Sequence, residues 1–220
     1  MTARTDAADD RREQTYETDG VLLVIAPVTD AETSAWLTDD DRSCIATLGN
    51  ARRRREQTAW RSIVRRKAGT VPIAYTPSGA PFLEGSDLYI GVSHTASEAA
   101  VILSRRPCAV DIECTGRDFR RVAPRFVAPE EAALPCSGEE LFLPVLWCVK
   151  ETLYKFSGRK ELDLRADLRL NRADLRTGTL TGAIRGTDGM WREFPMHAIL
   201  REDAVCVWMA ADAADRPQLP

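Results

Sequence analysis

Trp147-Cys148-Val149-Lys150-Glu151-Thr152-Leu153-Tyr154-Lys155 carries an apolar and a charged pattern at once. In a helix each residue turns by about 100°. Leu146, Val149, Leu153 and Phe156 then share one face, which must be a core stripe. Trp147, Glu151 and Lys155 fall almost opposite, with Lys150 and Tyr154 beside them. The pattern predicts a helix from about Pro144 to Phe156, with Pro144 near its first turn and Gly158 at its end. A solvated Glu151–Lys155 pair would be worth only about a few tenths of a kcal/mol. A tryptophan opposite the core stripe points to a second packed surface or a cleft.

Upstream, Ala109-Val110-Asp111-Ile112-Glu113 reads as a strand. Residues two apart in a strand face the same way, so Asp111 and Glu113 project together. Such a pair suits Mg²⁺, which takes a few carboxylates plus substrate phosphates. A solvated strand face explains the pair taken alone. Glu130 and Glu131 follow Pro129 at a helix start, where the helix dipole favours acids. Ser93-His94 follows the apolar run Leu88 to Val92 and reads either as a phosphate contact or as a polar turn. Adjacent serine and histidine do not serve as nucleophile and base to each other. Arg52-Arg53-Arg54-Arg55, with Arg61, Arg65, Arg66 and Lys67, makes a basic helix from Ala51 to Lys67, read as a solvated face, a phosphate clamp or a nucleic-acid contact.

The remaining elements follow from periodicity and punctuation. Val21 to Ala26, Val71 to Tyr75, Leu88 to Val92, Ala99 to Ser104 and Cys108 to Glu113 are predicted strands. Further strands are Leu168 to Leu170, Leu180 to Ile184, Trp191 to Leu200 and Ala204 to Ala210. Short helices are predicted at Thr29 to Leu37, Thr38 to Leu48 and Pro129 to Leu134; Thr29 and Glu32 have capping-box spacing. Strands and helices grouped this way define an α+β class rather than alternating βαβ. Residues 1–18 read as a disordered arm, 19–112 and 113–212 as N- and C-terminal α+β halves, and 213–220 as a tail.

The 220 residues carry a net charge of only -3, which argues against a general nucleic-acid binder. No apolar run approaches the roughly 20 residues of a membrane helix, and residues 1–19 lack the apolar core of a secretory signal. The six cysteines contain no Cys-x-x-Cys pair and there are two histidines, so zinc is not expected. Thiols in apolar runs read as buried and reduced, consistent with the cytoplasm.

Jointly these motifs resemble the 4'-phosphopantetheinyl transferases of the large, Sfp-type class. The resemblance runs from about Arg52 to Lys155. It rests on Gly79-Ala80-Pro81, Val92-Ser93-His94-Thr95, Val110-Asp111-Ile112-Glu113, Arg125-Phe126 followed by Pro129-Glu130-Glu131, and Trp147 through Lys155. It implies a monomeric pseudo-dimer of two similar α+β halves, each an antiparallel sheet packed with a long helix. It implies transfer of phosphopantetheine from coenzyme A to a serine of an apo acyl, peptidyl or aryl carrier protein, as in fatty-acid, polyketide or nonribosomal peptide assembly. 3',5'-ADP leaves. By the same resemblance Asp111, Glu113 and Glu131 hold Mg²⁺, Glu151 is the base, and Lys150 and Lys155 stabilise the pyrophosphate. Ser93, His94, Gly79, Pro81 and Arg54 or Arg55 contact coenzyme A. Arg120, Arg121 and Arg125 would meet the acidic carrier.

The sequence departs from the family pattern at Ala80, where a lysine is usual, at Gly91 in place of asparagine, and at Thr95 in place of serine. The alternatives are a metal-dependent nuclease and a non-catalytic homologue that binds coenzyme A or a carrier. The expected partners are a carrier protein and coenzyme A, with no nucleic acid and no membrane.

Overall fold

Apolar runs become the central strands of two antiparallel sheets in the computed structural model, which describes residues 13–212 and Ala214. In chain order the elements are β1 (Gln14–Thr18), β2 (Val21–Pro27), α1 (Asp39–Ala46), α2 (Ala51–Ala68), β3 (Ile73–Tyr75), β4 (Pro81–Leu83), β5 (Tyr89–His94), β6 (Glu98–Ser104) and β7 (Cys108–Cys114). There follow α3 (Pro129–Ala132), α4 (Phe142–Ser157), β8 (Leu168–Asp174), β9 (Thr179–Arg185), β10 (Trp191–Leu200) and β11 (Ala204–Ala210). The class is α+β. The described residues up to Thr76 with Pro81–Arg105 form one unit; Pro77–Ala80 and the described residues from Arg106 form another.

The first unit is a sheet of order β1-β2-β6-β5 packed by α2, beside a small β3-β4 hairpin. Trp60, Ile63 and Val64 of α2 pack with Val24, Ile90, Val101 and Leu103. Asn50 caps the helix by accepting the Arg52 N–H at 2.9 Å, and Gly69 ends it at φ 77°. The second unit is a sheet of order β7-β11-β10-β9-β8 with α4 lying across it. Leu146, Val149, Leu153 and Phe156 pack with Leu168, Leu170, Ile184, Val205, Val207 and Met209. Gly182 lets the helix approach β9, because a Cβ there would lie 2.5 Å from Met196 Sδ and 3.0 Å from Leu153. The two units share a connection pattern. In each a strand leads to a long helix, and the last strand of the unit's sheet pairs antiparallel with that first strand: β6 beside β2, β11 beside β7.

Several expectations change. The predicted arm extends to residue 18, yet Gln14–Thr18 pairs with β2 from Gln14↔Ile25 to Thr18↔Val21. An edge strand needs backbone bonds rather than an apolar run, so composition did not mark it. The rest of that arm, residues 1–12, lies outside the described residues, as does the tail apart from Ala214. The predicted helix at 29–37 is irregular chain. The Thr29 and Ser34 hydroxyls accept the N–H groups of Ala31 and Trp36, and Glu32 bonds Arg54 rather than a helix start. The division between units falls at Arg105 rather than at 112, because β7 pairs along its whole length with β11. Ser93 and His94 are the last residues of β5 rather than a turn after it. Among the described residues no helix is long and apolar enough to cross a membrane.

One charge holds the helical layer of the first unit. Asp41, fully buried at the start of α1, accepts from Arg61 Nη1 at 2.6 Å and from Arg65 Nη2 at 2.9 Å. Thr38 completes a capping box around it. Burial alone would push this carboxyl up; the bonds from Arg65, Thr38 and Arg61 outweigh it and hold the group well below the usual carboxylate range. Asp41→Ala strands two buried guanidinium groups and should cost about 3–5 kcal/mol in urea unfolding at neutral pH. Because the folded-state pKa is depressed, the contribution is complete above the unfolded aspartate range. It is lost as pH falls below about 4. The difference between wild type and Asp41→Ala should therefore shrink in acid, and an undiminished difference at pH 3 would contradict this account.

Candidate functional site

Strand β7 has period two, and its Ala109, Asp111 and Glu113 share the helix-facing side with Met209, Val207 and Val205 of β11. The polar row of α4 meets these acids. Lys155 Nζ donates to Asp111 Oδ1 at 2.7 Å and to the Val110 carbonyl at 3.2 Å. The Trp147 indole N–H donates to Glu113 Oε1 at 2.9 Å. The tryptophan that did not suit a solvated face thus stands edge-on to Phe126, with ring centroids 5.2 Å apart, and bonds a carboxylate. Arg117, on the loop after β7, donates to the same Glu113 oxygen at 2.8 Å.

Glu151 lies on the helix between Trp147 and Lys155, and electrostatics ties it to both strand acids. Its carboxyl is pushed up by burial first, then by Asp111 and Glu113, against the pull of Lys155 and Arg117. Glu113 is likewise pushed up by burial and by Asp111, and drawn back by Arg117 and Trp147. Glu151 is thus within electrostatic reach of Asp111 and Glu113, which bond Lys155 and Arg117. Their hard oxygen donors suit a divalent ion such as Mg²⁺. Lys155 pairs with Asp111 at 2.7 Å and Arg117 with Glu113 at 2.8 Å. Among the described residues no three acid, imidazole or thiol side chains are arranged to hold a metal ion.

Glu131 and Lys150 do not join this cluster. Glu131 is fully buried, and its two oxygens accept the Ala128 N–H at 2.7 Å, the Leu170 N–H at 2.8 Å and the Lys150 ammonium at 2.8 Å. Lys150 also donates to the Phe126 carbonyl. Burial pushes the Lys150 amine down and Glu131 pulls it back. The pair pins α3, α4 and β8 together. Glu131, expected as a metal ligand, therefore has every oxygen engaged elsewhere, and the third acid near Asp111 and Glu113 is Glu151. Lys150, expected at the pyrophosphate, is a structural cation. One residue's rotation along α4 separates it from Glu151, which sequence spacing alone did not weigh.

In the first unit, Arg54 bonds Glu32 Oε2 at 2.6 Å and Arg55 pairs with Asp30. Sequence reasoning missed Glu56, although it lies one helical turn beyond Arg52. It is buried, bonds Arg52 Nε at 2.7 Å and lies 3.6 Å from His94 Nδ1. Ser93 beside it is buried. Gly79 turns at φ 89° before Pro81 opens β4. Arg120, Arg121 and Arg125 are exposed. Arg117 was also missed; a loop residue after a strand carries no periodic signal. All six cysteines are free thiols, three of them buried.

A scan against family models and a search of curated proteins both returned no match.

The Glu131–Lys150 pair yields a stability test. Lys150→Met leaves a carboxylate buried without its cation and should destabilise by about 3–5 kcal/mol, whereas Glu131→Gln with Lys150→Met should recover much of that loss. Chemical denaturation of the two single and the double variants measures this, and strict additivity would exclude the pairing.

Proposed function

We propose that the chain transfers 4'-phosphopantetheine from coenzyme A to a serine of an apo carrier protein, releasing 3',5'-ADP. The observation that carries this reading is the meeting of the D-x-E strand with the Trp147–Glu151–Lys155 row of α4. The antiparallel return of β6 to β2 and of β11 to β7 after a long helix supports a chain built of two similar halves.

In this reaction the serine oxygen forms a bond to the β-phosphorus of coenzyme A, and the bond from that phosphorus to the bridging pyrophosphate oxygen breaks. Glu151 takes the serine proton. A carboxyl raised by burial and by two neighbouring acids is a stronger base than an ordinary glutamate. Lys155, fixed by Asp111 and a backbone carbonyl, presents positive charge toward the phosphates. Asp111 and Glu113 would hold Mg²⁺, which when bound supplies charge neutralisation at the pyrophosphate oxygens. His94, backed by Glu56, with Ser93, is proposed as a contact to a coenzyme A phosphate. For Arg54 or Arg55 to contact coenzyme A, the side chain must exchange Glu32 or Asp30 for phosphate.

The direct test incubates the protein with Mg²⁺, coenzyme A and a panel of apo carriers and weighs the carriers. A gain of one phosphopantetheine group is expected. No gain on carriers that a reference transferase modifies would end the proposal. Glu151→Gln should lower kcat by about 10²–10⁴-fold with little change in the KM for coenzyme A. The base works deprotonated, so wild-type kcat should fall as pH drops through the titration of Glu151, and Glu151→Gln should lack that limb.

A further inference from the structure

Arg117 is bonded to a carboxylate that the proposed cation requires. Its Nη1 donates to Glu113 Oε1 at 2.8 Å, the oxygen that also accepts the Trp147 indole. Its guanidinium carbon lies 4.6 Å from the Trp147 ring centre and 5.1 Å from that of Phe119. Two aromatic faces therefore hold the group beside the carboxylate in addition to the ion pair. The side chain is still 40% exposed. Lys155 differs, because a backbone carbonyl as well as Asp111 fixes its ammonium. Arg117 thus combines one carboxylate partner with two ring faces, whereas Lys155 is bonded to two oxygens. Its planar fork fits two phosphate oxygens at once.

We infer that Arg117 is a substrate-binding residue that exchanges partners. It neutralises Glu113 while the site holds no divalent cation. When a cation takes Glu113, the guanidinium stays on Trp147 and Phe119 and bonds the diphosphate of the substrate. Cation and diphosphate then bind in order, because the first frees the receptor of the second. The inference rests on reading Asp111 and Glu113 as cation ligands.

The test titrates wild type, Arg117→Ala and Arg117→Lys by calorimetry, first with Mg²⁺ alone and then with inorganic pyrophosphate in saturating Mg²⁺. Removing a positive charge that competes for Glu113 should tighten Mg²⁺ binding about fivefold in Arg117→Ala. The same variant should bind pyrophosphate about tenfold more weakly, for want of the bidentate contact. Arg117→Lys keeps the charge, so its Mg²⁺ affinity should stay near wild type while pyrophosphate binding falls. Mg²⁺ should also change the tryptophan fluorescence of wild type, and Trp147→Phe should abolish that change. Weaker Mg²⁺ binding by Arg117→Ala would make Arg117 a clamp that only orients Glu113, and would overturn the exchange. Unchanged affinities for both ligands would reduce it to a surface ion pair. Mg²⁺ binding by neither wild type nor variant would overturn the reading of the acids themselves, and the inference with it.

Discussion

A charge removed from water must meet its opposite, and this constraint organises both units. Asp41 is met by Arg61 and Arg65, and Glu131 by Lys150 and two backbone N–H groups. In both places a single carboxylate is fully satisfied. Such sites bind helices to one another and have no capacity left for a ligand. The acids of β7 and α4 differ: Asp111, Glu113 and Glu151 act on one another electrostatically, and burial raises Glu113 and Glu151. Like charge under partial burial, rather than the number of acids, marks the candidate site.

That distinction sorts residues which look alike in the sequence. Glu130, Glu131 and Glu151 are all glutamates at helical positions near the acid strand. Glu130 is exposed and bonds Arg169, Glu131 is buried in a closed pair, and Glu151 faces Asp111 and Glu113. Only the third combines partial burial with like charge, the two conditions that make a carboxylate useful as a base.

Much of this was legible in the residues. Period two in Ala109 to Glu113 and period 3.6 in Leu146 to Phe156 placed the strand, the helix and their facing sides, because both patterns are local and strong. Glu131 and Lys150 were not legible, since a buried ion pair between residues far apart along the chain leaves no periodic trace. Edge strand β1 and loop residue Arg117 also escaped, because one depends on backbone bonds and the other on stacking against rings contributed from elsewhere. The run at 29–37 misled because its capping spacing was real while its glutamate served another partner.

The pairing of β7 with β11 has a temporal consequence. Asp111 sits opposite Val207, so the strand bearing the site is emitted from the ribosome long before its neighbour, with nearly the whole second unit between them. Chains grow at roughly 5–20 residues per second, so β7 waits for seconds with an unpaired edge. Trp147, Glu151 and Lys155 reach the exit earlier than β11 and find no sheet on which to settle. A nascent chain stalled before Ala204 would carry every residue of the cluster without the strand that flanks β7.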